Sequence, residues 1–265
     1  LVSRLPLGNI LELRGGVAFN VIPDKAEARV RAEALRPTER VEAVEEEKRI
    51  WRLTAHGIGG HASLPEGTLN AIGVLTGYIL ENGIADENEA RFLRLTMLMH
   101  GAWDGTLLGV AADDGRFEPL TIAGGMAGIE QGRLWQSFDA RYPTSTDGEK
   151  IAAGIRQKAG DDADVSVVRD TPPFYMSLDN KAVQVCIDAY NAVTGENAKP
   201  YTIGGGTYAR DFPNAVSFGP EHPERPAPAF AGPIHGVDEA ASRDFFLEAL
   251  RVYILALLEL EKLDY

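Results

Sequence analysis

The stretch Ala26-Glu27-Ala28-Arg29-Val30-Arg31-Ala32-Glu33-Ala34 alternates apolar and charged side chains residue by residue. On a strand, successive side chains point to opposite faces. This spacing therefore predicts a strand with one face in a core and the other in water. Working outward, residues 9–14 carry Ile10, Leu11 and Leu13 and predict another strand, with Pro23-Asp24 supplying turn chemistry between the two. Residues 50–55 predict a third strand, which runs into the glycine-rich loop Gly57-Ile58-Gly59-Gly60.

Helical spacing follows. Residues 68–81 place Leu69, Ile72, Leu75 and Ile79 on one face and stop at Asn82-Gly83. Residues 87–100 form a second helix rich in Leu and Met. Residues 118–141 hold two or three strands, interrupted by Gly124-Gly125 and Gly128. A third helix is expected over 146–159, with Ser145 or Thr146 as N-cap and Glu149 placed for a capping box. Residues 163–169 alternate as a strand, and Thr171-Pro172-Pro173 marks a boundary. Beyond it, residues 180–194 predict a helix ending at Gly195. Residues 201–203 and 215–218 predict short buried strands on either side of Gly204-Gly205-Gly206-Thr207. Residues 237–263 predict a long helix with Phe246, Leu250, Tyr253, Leu257 and Leu260 as its core-facing stripe. The expected class is mixed α/β: a larger α+β part, then a smaller α/β part with too few strands for a complete sheet.

Composition bounds the function. The chain has 265 residues, 45% hydrophobic and 25% charged, which are ordinary globular values and enough for a sizeable core. Its net charge of −13 repels phosphate backbones, so nucleic acid is not an expected partner. The one dense charge run, residues 42–48, reads as a solvated helix face or loop. The single cysteine, Cys186, cannot form an internal disulfide and fits a reducing, cytoplasmic compartment; its neighbours Val183, Ile187 and Tyr190 make it a helix core residue rather than a nucleophile. No apolar run approaches the roughly 18 residues of a membrane span, so no membrane partner is expected. The chain opens Leu1-Val2-Ser3 without an initiator Met, and a fragment of a longer protein is expected.

Five histidines are present, and two lie in suggestive loops. His61 follows Gly59-Gly60 before a helix. Glycines allow close approach of a ligand, and an imidazole there can donate to a developing oxyanion; a surface histidine in a turn fits the same spacing. His235, in Gly232-Pro233-Ile234-His235-Gly236, precedes the last helix as a metal ligand or as a plain helix-start residue. Gly204-Gly205-Gly206-Thr207-Tyr208-Ala209-Arg210 lacks the Gly-Lys-Ser/Thr of a phosphate loop; it presents backbone N–H groups to an anion or forms a tight turn. Arg141, in Asp139-Ala140-Arg141-Tyr142-Pro143, offers a fork for a substrate carboxylate or an ion pair to a neighbour.

The order and wording of these segments carry a resemblance. Gly15-Gly16-Val17-Ala18-Phe19-Asn20-Val21-Ile22-Pro23-Asp24, Gly60-His61-Ala62-Ser63-Leu64-Pro65 with Asn70-Ala71, the Asp139–Pro143 segment, Gly204–Arg210, and Phe218-Gly219-Pro220 leading to His235 together resemble the M20 metallopeptidases, in their PepV- and Sapep-like dipeptidase branch. The resemblance spans nearly the whole chain. It implies that residues 9–176 are a substrate-covering lid domain of antiparallel sheets and helices, and that residues 177–265 close a zinc-peptidase α/β catalytic domain. It implies two zinc ions per active site, a small peptide substrate, His235 as one zinc ligand, His61 as the oxyanion-stabilising histidine and Asn20 beside it. It implies Arg141 as the clamp on the substrate carboxylate, with Gly205, Thr207 and Arg210 lining the substrate end.

The rest of the family's metal set is a His-x-Asp segment, a bridging Asp and a Glu-Glu pair. None of these is found in this sequence where it could serve. The missing ligands are expected on an N-terminal catalytic segment of the same protein. The alternatives are an amidohydrolase of N-acyl amino acids and a non-catalytic, lid-like binding module.

Overall fold

A computed structural model of the chain describes residues 1–203, 206–219, 228–231 and 238–263. Two compact units divide it: the first is built on Leu1–Pro173, the second on Phe174–Thr202 and the described residues from Gly206 onward. In the first unit the elements run β1 (Val2–Ser3), β2 (Ile10–Gly15), β3 (Val21–Ile22), β4 (Lys25–Arg31), β5 (Val41–Glu47), β6 (Ile50–His56), β7 (Gly60–His61), α1 (Ala71–Glu81), α2 (Glu87–Gly101), β8 (Thr121–Glu130), β9 (Arg133–Arg141), α3 (Gly148–Ala159) and β10 (Ala163–Asp164). Eight strands form one sheet in the order β10-β1-β9-β8-β2-β4-β6-β5, and β3 pairs with β7 as a separate ribbon. All pairings are antiparallel.

The alternation in β4 sets the inner face. Ala26, Ala28 and Val30 are buried, as are Leu53 and Ala55 on β6, which pairs with β4 from Lys25↔His56 to Arg31↔Ile50. Helix α1 lays Ile72, Leu75 and Ile79 into the same core, and α2 adds Phe92 and Leu93. Each such large side chain contributes roughly 1.5–3 kcal/mol by leaving water. A second cluster joins Met99, Leu120 and Ile122 to Ile151 and Ile155 of α3.

A buried carboxylate ties the start of β2 to α2. Asp86 and Glu89 make a reciprocal capping box, and Glu89 is only 1% exposed. Its two oxygens accept backbone N–H groups of Gly8 (2.8 Å), Asn9 (3.0 Å), Ile10 (2.8 Å) and Asp86 (3.0 Å). Four donors satisfy a charge that would otherwise be costly to bury.

Several expected elements differ. Residues 42–48 are neither helix nor loop: β5 is the edge strand. Arg29 on β4 reaches Glu46 (3.2 Å) and Glu47 (3.0 Å), and Arg52 on β6 also pairs with Glu46. Arg29 lies 17 residues from Glu46, so a local charge count missed that compensation; a charged edge also resists pairing with another sheet. The third helix starts at Gly148 with Asp147 as N-cap, accepting from Lys150 N at 2.8 Å, rather than with Ser145 or Thr146. Ser145 instead donates to Asp113 O, and Thr144 binds Asp114, so that turn is committed to the loop before β8. The strand expected over 163–169 is cut to Ala163–Asp164, because β1 offers it only two partners, Val2 and Ser3.

The second unit contains α4 (Lys181–Thr194), capped by Asn180 and ended by Gly195 at φ +75°, and α5 (Arg243–Leu260). Cys186 lies part-buried on α4, and burial pushes its thiol pKa up. Residues 201–203 and 215–218 are not strands, and Tyr201 and Ile203 are exposed. The stripe expected on the last helix is overturned as well. Phe246, Leu250, Tyr253 and Leu257 are exposed, whereas Ala249, Val252 and Ala256 are buried. Opposite the face of Asp244, Glu248, Arg251 and Glu259, helix α5 carries an apolar arc wider than one stripe, so periodicity could not say which part of it is covered.

Replacing Glu89 with Ala leaves several buried N–H groups without an acceptor. We expect a loss of about 3 kcal/mol in denaturant unfolding. A loss comparable to that of an exposed glutamate such as Glu87 would contradict the anchoring role.

Candidate functional site

Two loops of the first unit meet at the β3–β7 ribbon. One, residues 16–20, leaves β2; the other, residues 57–70, leaves β6. Val21 pairs with His61 and Ile22 with Gly60, and Ala62 N–H donates to Asn20 O at 3.0 Å. Two further backbone bonds fix the ribbon to the sheet and to α1: Gly57 N to Asp24 O at 2.7 Å, and Ala71 N to Pro23 O at 2.9 Å. Ile22, Ala62 and Ala123 form a small dry cluster beneath.

The first loop is held by a close backbone crossing on β8. The β8–β9 register shifts between Gly124 and Ala127, and Met126 N–H in the bulge donates to Ser137 Oγ at 2.9 Å. Bulges re-aim a strand locally. Here the bulge lets Gly125 lie against the loop: a Cβ on Gly125 would sit 2.1 Å from Phe19 O. Gly16 has φ +73°, and a Cβ there would sit 1.7 Å from Gly125 O. Only glycine tolerates both the left-handed backbone and the approach.

The result places Asn20 Nδ2 3.3 Å from His61 Nε2. On the other side of the ring, Nδ1 lies 2.7 Å from Ser63 Oγ and accepts the Ser63 backbone N–H at 3.2 Å. A backbone N–H can only donate, so this contact favours the tautomer with Nδ1 as acceptor and the proton on Nε2. The Nε2–H and the Asn20 amide N–H are then two donors converging on one region. That arrangement suits an oxygen gaining negative charge.

His61 is exposed and lines an open cleft of about 570 Å³ together with Gly15, Gly16, Val17, Val21 and Asp24. Lys25 and Glu27 also line it and pair with each other at 2.7 Å; that lysine holds the Glu27 carboxyl below its usual pKa.

Arg141 ends β9 opposite Thr121, whose hydroxyl contacts Ala62 O at 3.5 Å. Its fork engages Asp139 through Nε at 2.5 Å and Nη2 at 3.1 Å. In the second unit, Thr207 Oγ1 lies 2.6 Å from Ser217 Oγ and accepts Ala209 N–H at 3.3 Å. Arg210 Nε is buried without a hydrogen-bond partner among the described residues. Gly205 and His235 lie outside the described residues. Among the described residues no group of three or more His, Cys, Asp or Glu could hold a metal ion. These residues therefore do not by themselves fit a zinc centre.

Sequence reasoning named His61 and Asn20 but gave Ser63 no role; the His-x-Ser spacing was the available signal. It also missed a polar pair behind the site. His100 Nε2 lies 2.7 Å from Gln136 Nε2, and its ring packs on Phe138 with centroids 5.8 Å apart. Burial pulls the His100 pKa down to about 4, against a smaller upward push from the Gln136 bond.

Comparison with known proteins gives relatives named for one activity. YtjP of Bacillus subtilis (strain 168), provisionally named a dipeptidase, is 27% identical over 97% of this chain and 57% of its own length. The Beta-Ala-Xaa dipeptidase of Lactobacillus delbrueckii subsp. lactis is 27% identical over 78% of this chain and 43% of its own length. A Staphylococcus aureus (strain USA300) protein, also provisionally named a dipeptidase, is 36% identical over 31% of this chain and 18% of its own length. The chain spans about half the length of the first two relatives. No protein-family profile matches it. Among the described residues no helix is long and apolar enough to cross a membrane.

His100 supplies a pH test. Its folded pKa lies below the unfolded value of 6.5, so the unfolded chain binds more protons between pH 6.5 and about 4. Stability should be flat above that window and fall through it by about 3 kcal/mol as pH drops. His100→Gln should remove this part of the acid limb in denaturant unfolding at a series of pH values. An unchanged slope would contradict the assignment.

Proposed function

We propose that this chain is the substrate-covering and C-terminal portion of a metal-dependent dipeptidase of the M20 type. The observation that carries the reading is the 3.3 Å approach of His61 Nε2 and Asn20 Nδ2 at the edge of an open cleft, read as a convergent donor pair because Nδ1 faces the Ser63 N–H. The names of the relatives supply the reaction class: hydrolysis of a dipeptide at its one peptide bond. As water attacks, the carbonyl oxygen takes on negative charge, and the two donors stabilise it. Ser63 holds the ring in the donating tautomer. Arg141, its fork oriented by Asp139, is assigned to the substrate's free carboxylate, and Thr207 and Arg210 to the substrate end of the site.

Zinc is proposed as the cofactor of the complete enzyme, with His235 as one ligand and the remaining ligands on a segment outside these 265 residues. Three observations support a further segment. The match covers 57% of one relative and 43% of the other. Helix α5 exposes Phe246, Leu250, Ile254, Leu257 and Leu258. Residues 201–203 and 215–218 carry strand-like apolar sequence without strand pairing. An apolar surface of this kind marks a contact face. Activation of the attacking water is assigned to that segment.

The test is turnover of the complete enzyme on dipeptides and on acetyl-amino acids side by side. Dipeptides should be the better substrates, and His61→Ala should lower kcat by about 10²–10³-fold. Unchanged turnover in that variant would remove His61 from the mechanism, and a preference for acetyl-amino acids would replace the dipeptidase reading with a deacylase. Calorimetric titration of the 265-residue chain with zinc should show no tight pair of sites; two tight sites would defeat the proposal of an external ligand set.

A further inference from the structure

Asn70 ends the His61 loop and starts α1. Its side-chain oxygen accepts Ile72 N–H at 2.9 Å, which is ordinary N-capping. Its amide nitrogen does something a cap does not require: it donates to Gly124 O at 2.6 Å, across to β8. Gly124 opens the bulge, and the next residue, Gly125, is the one against which Phe19 O rests. Phe19 precedes Asn20. One carboxamide thus spans from the end of the loop that carries His61 to the strand segment that backs the loop carrying Asn20.

We infer that Asn70 is a positioning residue that sets the spacing of the His61–Asn20 donor pair, an inference that rests on the functional reading above for its catalytic consequence. The chemistry singles out asparagine. Asp, Ser and Thr cap helices about as well, but the strut uses two separate atoms, an acceptor for Ile72 and a donor for Gly124; Asp has no donor, and Ser or Thr has one oxygen on a shorter side chain for both tasks. A carboxamide supplies both in one rigid plane. A carboxylate keeps the cap and sets an acceptor against the Gly124 carbonyl. The Ala71 N to Pro23 O bond lies beside the strut, so a displaced Asn70 also loads the turn that leads out of β3.

The test compares wild type with Asn70→Asp and Asn70→Ser, at a temperature where all three are fully folded. The first readout is nuclear magnetic resonance of the 265-residue chain: the His61 ring nitrogens, the Asn20 side-chain amide, and hydrogen exchange at Val21 and Ala62. Both variants should shift the His61 and Asn20 signals and speed exchange at those two amides, while amides in the middle of β4 and β6 stay protected. The second readout is turnover of the complete enzyme, where kcat should fall about 10-fold or more with KM little changed, because the donors are misplaced and the binding groups are not. A cap with no positioning role would lower the unfolding midpoint and leave the His61 and Asn20 signals in place; that result would overturn the inference. Shifted signals with unchanged turnover would keep Asn70 as the spacer of the pair and sink the hydrolytic reading instead.

Discussion

The backbone pairing of Val21 with His61 is the constraint on which the site depends. It is a ribbon of two residues on each strand, too short to be stable alone. Its persistence comes from its surroundings: backbone bonds from Gly57 and Ala71 to the Pro23-Asp24 turn, the dry contact of Ile22 and Ala62 with Ala123, and the glycine crossing at Gly125. Each is a contact between segments far apart in sequence. The donor pair therefore inherits the rigidity of the eight-stranded sheet although neither residue belongs to it.

That sheet is secured at both levels that matter energetically. Apolar burial between its inner face and helices α1 and α2 supplies the bulk of the driving force, and the Glu89 carboxylate fixes where β2 enters. The outer face carries cross-strand ion pairs around Arg29 and Glu46. Those are partly solvated and contribute little each, so they serve the edge strand's solubility more than the fold's stability. The His100–Gln136 pair sits behind the bulge, and its burial ties part of the fold's acid response to the region supporting the site.

Local patterning made much of the first unit legible. The alternation in residues 26–34 announced β4, and the Leu69-Ile72-Leu75-Ile79 spacing announced α1, although Leu69 itself precedes the Asn70 cap. What sequence could not show was partnership. The Glu42–Glu47 run is a strand through its backbone pairing with β6, with Arg29 and Arg52 facing its glutamates, and Ser145 lost the cap of α3 to Asp147 because the loop before β8 claims it. The α5 stripe failed for the opposite reason: its apolar arc is wider than one stripe, and the covered part is the small-residue side, Ala249, Val252 and Ala256, that packs on α4. At the site, glycine-flanked His61 stood out, and Asn20 entered through wording alone. The Ser63 and Asn70 contacts that give those two residues their chemistry depend on side chains meeting across loops, which no spacing encodes.

The central claim is that His61 and Asn20 both donate toward one point. The ¹⁵N chemical shifts of the His61 ring at alkaline pH test it most directly. The account predicts an unprotonated Nδ1 accepting from Ser63 and a protonated Nε2. A protonated Nδ1, with Nε2 accepting from the Asn20 amide, would leave no second donor and would contradict it.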